Sequence, residues 1–183
     1  MAIGAAAALM DDAWWGPVFL DSKGEAQFML WERSAPFGII VDSSGKRFMN
    51  ESASYVDCGH WQYERHRQVP AIPAYLIADS RHRKYYLFGM MPPRFTPKEA
   101  YESGMMVKAG SIPELAQACG IDADNLEQTV QRFNQFAATG KDLDFHRGDS
   151  AYDRVYSDPK VKPNPRIPIF PKIGLDRSRW RKT

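Results

Sequence analysis

The chain has 183 residues, 44% of them apolar and 13% aromatic, with 24 basic and 22 acidic residues for a formal net charge of +2. That is one ordinary domain with ample material for a buried core, which excludes intrinsic disorder and two large domains. No apolar run approaches the roughly 20 residues needed to cross a bilayer, and Cys58 and Cys119, without metal-ligand spacing, point to a reduced, cytoplasmic setting.

In chain order, MAIGAAAALM reads as the end of an alanine-rich helix stopped by Asp11-Asp12 and the Trp14-Trp15-Gly16-Pro17 corner. With no Lys or Arg ahead of it, it does not read as a secretory signal. Residues 26–50 carry strand patterning in Phe28, Leu30, Ile39, Ile40 and Val41, then a turn at Ser43-Ser44-Gly45, then Phe48. This predicts a hairpin, followed by a polar segment holding Tyr55, Cys58, His60 and Tyr63. Ile72 to Ala78 is a short apolar run suited to a buried strand, and Asp79 sits where an N-cap belongs, before a basic helix from Ser80 to Tyr86 whose Arg81 to Tyr86 reads either as a nucleic-acid patch or as a solvated helix face.

Three further helices are predicted by their caps. Thr96-Pro97-Lys98-Glu99 and Ser111-Ile112-Pro113-Glu114 both have the capping-box form, with Gly104 and Gly120 as stops. Asp122 opens the longest helix, ended by Gly140, whose Leu126, Val130, Phe133 and Ala137 form one apolar stripe. After Asp158 five prolines fall within 13 residues, so that stretch should be extended. From Lys160 to Thr183 eight Lys or Arg face the single Asp176, while the rest of the chain holds 16 basic and 21 acidic residues. Short strands with segregated helices imply an α+β fold, a small antiparallel sheet packed with helices.

Several chemistries are set aside. There is no G-x-G-x-x-G after a strand, no P-loop, no G-x-S-x-G elbow and no paired His or Cys motif for a metal. Tyr55 and Tyr63 remain. Either could be a half-buried aromatic packing on the sheet, or a phenol placed to exchange a proton with an activated C–H group. Arg47 can anchor the turn to a carboxylate such as Glu51, and the FHRGDSAYDR run, Phe145 to Arg154, reads as an ion network that knits the domain together.

The motifs LMDDAWWGP, GIIVDSSGKRFMNES, PAYLIADSRHR, LEQTVQRFNQFA and DFHRGDSAYDR occur in one order over Ala6 to Pro165. In that order they resemble the substrate domain of the fumarate reductase and succinate dehydrogenase flavoprotein superfamily, and most of all the 3-ketosteroid Δ1-dehydrogenases. The resemblance implies the catalytic, capping-type domain of such flavoproteins, FAD as cofactor, a 3-ketosteroid as substrate, and an FAD-binding domain in the same or a separate chain. It implies that a tyrosine takes a proton from C2 of the steroid A ring while the flavin takes the C1 hydrogen as hydride. That tyrosine falls on Tyr63, in GHWQY, and an apolar residue lining the steroid pocket falls on Ile39. Neither a metal nor nucleic acid is implied.

The implied division is residues 1–16 as a remnant of the FAD-binding domain, 17–165 as the substrate-binding domain, and 166–183 as a divergent basic tail. The flavin loop is absent, as is the Y-P-G-P-G motif that polarises the steroid carbonyl in that family, so the expectation is a fragment begun late at Met1 and disrupted in frame near residue 166. Such a fragment should expose an apolar face and neither bind flavin nor turn over. Two alternatives stand: another flavoprotein of the superfamily acting on a Δ4-steroid or a dicarboxylate, and a non-enzymatic module using the basic tail on nucleic acid or a membrane.

Overall fold

The computed structural model describes residues 4, 6, 8–156, 158–161, 163, 164, 167 and 168. Strands β1 (Val18–Leu20) and β2 (Ala26–Phe28) form an antiparallel ribbon with Val18 opposite Phe28. The Asp21 carboxylate shapes its turn by accepting the N–H groups of Lys23 and Glu25. A single helical turn, α1 (Trp31–Ser34), follows and buries Glu32, Arg33 and Ser34.

Strand β3 (Gly38–Val41) then runs through the centre with all four residues buried. Its partner is β4 (Tyr75–Ala78), the apolar run near residue 75, in antiparallel register from Gly38–Ala78 to Val41–Tyr75. This corrects the predicted hairpin. The turn at residues 42–46 exists, with Asp42 accepting the Gly45 N–H through its carbonyl, but beyond it only Val41 and Arg47 form a bridge. The residues after the turn do not continue a strand because Arg47, Asn50, Glu51 and Ser52 point inward to a buried polar network.

The polar segment after that turn is a helix, α2 (Tyr55–His66), whose N-cap Ser54 accepts the Asp57 N–H at 3.2 Å and donates to its carboxylate at 2.8 Å. Helix α3 (Ser80–Tyr85) opens at Asp79, which accepts the N–H groups of Arg81 and His82. Its face is not wholly solvated as the sequence suggests, for His82 is buried and its Nε2 bonds the Glu32 carbonyl at 2.9 Å. Burial is the main cause of the lowered pKa of His82, against which the Glu32 carbonyl works. Helix α4 (Lys98–Glu102) is capped by Pro97 without a side-chain bond, one residue later than predicted, and Thr96 instead receives the Arg83 Nε–H at 3.4 Å.

Helices α5 (Ile112–Cys119) and α6 (Ala123–Thr139) follow their predicted caps, Ser111 and Asp122, and end at left-handed Gly120 and Gly140. The α6 stripe of Leu126, Val130, Phe133 and Ala137 is buried against Phe37, Ile39, Val41, Ile77, Ile112 and Ala116. Full burial of each larger member contributes about 1.5–3 kcal/mol. A second cluster lies on the other face of β3: Ile40 with Met29, Met49 and Cys58. The two faces of one strand therefore serve two cores.

The predicted ion network is present and runs deep. Glu51 accepts Arg47 at 2.8 Å from both Nε and Nη2, and Arg147 Nη1 lies 3.3 Å from Oε2, the oxygen that Arg47 Nη2 also reaches. Arg147 also donates to the carbonyls of Ser34, Ala35 and Gly38. Asp153 takes the Asn50 amide at 3.1 Å and the Gly148 N–H at 2.8 Å.

The described residues before Gly16 are turn and coil rather than the predicted helix end. Leu9 and Met10 are exposed there, and a short helix without a packing partner is not stable in water. Near the other end Pro163–Asn164 and Ile167–Pro168 pair antiparallel, in keeping with the extended reading. The basic tail lies outside the described residues save 167 and 168. Among the described residues no helix is long and apolar enough to cross a membrane.

Candidate functional site

Helix α2 is fastened along one face and left open along another. On the fastened face Cys58 is buried, Gln62 donates to the Ala71 carbonyl at 2.8 Å, and Arg65 reaches the Asp42 carboxylate at 2.7 Å. The His66 Nδ1 accepts the N–H groups of Ala71 and Ile72, each at 3.1 Å, tying the end of α2 to the approach to β4. Burial pushes the Cys58 thiol up to about 12, which removes it as a nucleophile.

The open face carries Tyr55, Gly59 and Tyr63, four residues apart and hence in line. Tyr63 is half-exposed, and the ring of Trp15 stacks on it with centroids 5.6 Å apart and planes 11° apart. Gly59 makes this possible, since a Cβ there would sit 2.5 Å from the Trp15 Cβ and 2.9 Å from its carbonyl carbon. Tyr55 meets Phe28 of the ribbon edge-on at 5.3 Å, and the Arg67 guanidinium lies 5.1 Å from the centroid of Tyr63.

His60 Nε2 is 3.2 Å from an Asp12 oxygen, within ion-pair reach. The Ala13 N–H, foremost, holds the Asp12 carboxyl below its usual range, with His60 adding to the effect. The N-terminal segment thus lies along α2 and builds half of an aromatic surface around one accessible phenol.

Of the residues singled out in sequence, Tyr55, His60 and Tyr63 come together here, with Trp61 exposed beside them. Cys58 faces the other way. Ile39 is elsewhere: it has no exposed surface and packs in the core with the α6 stripe. Trp15, Gly59 and Arg67 were missed. The spacing of four from Tyr55 through Gly59 to Tyr63 and Arg67 was the signal that could have found Gly59 and Arg67, whereas nothing periodic marks Trp15.

A dinucleotide needs free N–H groups at a helix N-terminus or glycine loop for its phosphates. Here Ser54, Asp79, Ser111 and Asp122 already fill the starts of α2, α3, α5 and α6 with their own oxygens. Asp79 and Asp122 would moreover repel an anion. These four helix starts do not fit a pyrophosphate.

A family model described as FAD binding domain matches residues 1–180. The 3-oxosteroid 1-dehydrogenase of Mycobacterium tuberculosis (strain ATCC 25618 / H37Rv) is 50% identical over 171 residues, covering 90% of this chain and 30% of that protein. The crystal structure of 3-ketosteroid delta1-dehydrogenase from Sterolibacterium denitrificans, in complex with 1,4-androstadiene-3,17-dione, superposes with a TM-score of 0.78 at 36% identity, over 90% of this chain and 30% of that one. A flavocytochrome c3 fumarate reductase in its open conformation superposes with a TM-score of 0.56 at 22% identity over 73% of this chain and 22% of that one, which shows the shared fold. The chain thus spans about 30% of the length of the curated relatives it matches.

Proposed function

The chain belongs to the FAD binding domain family, and from that premise we propose that it is the substrate-binding part of an FAD-dependent 3-oxosteroid 1-dehydrogenase. The observation that carries this reading is the half-exposed phenol of Tyr63, stacked on Trp15 and flanked by Arg67. Aromatic faces suit the flat apolar skeleton of a steroid better than a dicarboxylate. The imidazole of His60, which could serve a dicarboxylate, is engaged by Asp12.

In this reading Tyr63 accepts the proton from the carbon next to the 3-oxo group, and Trp15 holds the phenol ring in place. The Arg67 guanidinium stands beside the ring, where the phenolate carries its negative charge before it accepts the proton and becomes a neutral phenol. FAD supplies the hydride acceptor of the family and is held by residues other than those described here. Ile39 gives substrate no surface in this chain, and its part in the proposal is to hold β3 and, through it, the turn that anchors α2. The setting we infer is cytoplasmic.

The test uses the chain joined to a flavin-bearing region, assayed by dye reduction with a 3-oxosteroid. Tyr63→Phe should lower kcat by about 10²-fold or more while KM changes little. An unchanged kcat removes Tyr63 as the base. The chain alone should neither bind flavin nor reduce dye, and a yellow, active preparation would overturn the division of labour proposed here.

A further inference from the structure

Residues 80–98 contain Arg81, Arg83, Lys84, Arg94 and Lys98 and no Asp or Glu, and with Arg81 paired to Asp79 and Lys98 to Glu102, the charge of Lys84 and Arg94 is what the stretch presents. Within this stretch residues 86–95 form a tight loop whose tip is braced from inside. Phe88 and Met91 exchange backbone hydrogen bonds across Gly89 and Met90, and the Arg94 N–H closes the base on the Arg83 carbonyl at 2.8 Å. The Arg83 side chain donates to the carbonyls of Tyr86, Pro92 and Phe95. From the core, the Glu32 carboxylate takes the Gly89 N–H at 2.7 Å, and Phe88 packs on Phe19 at 4.9 Å.

All this bracing presents apolar side chains to water. Met90 is 93% exposed at the tip, and Phe95, Tyr85 and Leu87 are about half exposed around it. Lys84 and Arg94 are exposed at the base. A flexible loop could fold such groups inward, but this one is held with them outward. An apolar tip with tyrosine and cations behind it has the layered polarity of a bilayer interface, where apolar groups enter the acyl boundary and cations meet phosphates.

We propose that the loop of residues 86–95 docks on an anionic lipid bilayer, with Met90 as the inserted tip and Lys84 and Arg94 against lipid phosphates. Charge separates this surface from the other exposed aromatic face. The segment and ribbon around Trp14, Trp15 and Phe28 carry Asp11, Asp12, Asp21 and Glu25 against the single Lys23, a balance that an anionic surface would repel. The inference does not depend on the role of Tyr63.

The test is co-sedimentation of the full chain with vesicles of phosphatidylcholine alone and of phosphatidylcholine mixed with phosphatidylglycerol. Binding should favour the anionic vesicles and weaken with added salt. Met90→Asp, at a site too exposed to disturb folding, should lower the partition coefficient about tenfold or more, as should Lys84→Glu with Arg94→Glu. Trp14→Ser should leave it unchanged. Failure to bind either vesicle overturns the proposal. So does binding that survives Met90→Asp or is lost in Trp14→Ser, and so does binding of duplex DNA that Met90→Asp leaves intact while vesicles are ignored.

Discussion

Arg47 and Asp142, 95 residues apart in the chain, meet inside the core in a two-pronged pair, Nη2 to Oδ2 at 2.8 Å and Nη1 to Oδ1 at 3.2 Å. The pair closes the turn after β3 onto the segment beyond α6. The same guanidinium is gripped by Glu51, four residues on, so that one buried arginine ties the segment after β3 to the segment beyond α6.

Glu51 is the member whose loss leaves most behind. Glu51→Ala strands Arg47 with one partner, deprives Arg147 of its carboxylate and frees the Ile40 N–H, which Glu51 accepts at 3.1 Å. Breaking a buried network in this way costs about 3–5 kcal/mol. Urea denaturation should show a loss of that size, and a loss under about 1 kcal/mol would mean that the network is solvated.

Stability should fall with acid in two stages. Burial depresses His82, so its contribution is whole above its unfolded value near pH 6.5 and fades as pH falls through the lower folded one. Burial would raise the Asp142 carboxyl, but the Arg47 hydrogen bonds and charge outweigh it and hold it below its usual range. That contribution is whole above about pH 4 and is lost as pH falls further. Urea midpoints measured between pH 3 and pH 8 test this, and His82→Leu should flatten the slope that sets in as pH falls below about 6.5 while leaving the loss below about pH 4.

Gly45 tolerates no side chain. Its φ is +77°, and a Cβ would lie 2.8 Å from the Leu126 nitrogen and 2.9 Å from the Asp122 carbonyl oxygen, both backbone atoms of the start of α6. Gly45→Ala should destabilise by more than about 1 kcal/mol, since left-handed strain and the clash add. A thermal midpoint unchanged by the substitution would show that the turn does not sit on α6.

Gly59 should behave in the opposite sense. Ala is the better helix former by about 1 kcal/mol, so Gly59→Ala should leave α2 as stable or more so. It should still push Trp15 off Tyr63, because the contact it meets is Trp15 backbone and Cβ. Tryptophan emission should shift to the red with no fall in thermal midpoint. Unshifted emission would show that Trp15 has another way to reach the ring.

What could be read from the sequence was whatever local chemistry decides. The caps Asp79, Ser111 and Asp122, the stops Gly120 and Gly140, and the α6 stripe each depend on neighbours a few residues away, and each is where the sequence places it. Strand pairing depends on distant residues, so β3 was assigned to the wrong partner. Helix α2 was hidden because its organising residues are not an apolar stripe: Gly59 stands mid-helix, and its anchors are Gln62, Arg65 and His66. Tyr63 stood out as a residue type, whereas Trp15 registered only as part of a corner, because a stack between two segments leaves no periodic trace.

Strand β3 also has a bearing on how freely this sequence can change. Ile39 and Ile40 are neighbours in the chain, yet one packs with the α5–α6 layer and the other with Met49 and Cys58 beneath α2. Substitutions filling or emptying space on one side are therefore screened from the other by a single backbone, and their effects should sum. A change under Ile40 reaches the bed on which Tyr63 rests directly, whereas one in the α5–α6 half reaches it only through β3 and the turn that Arg65 of α2 grips at Asp42.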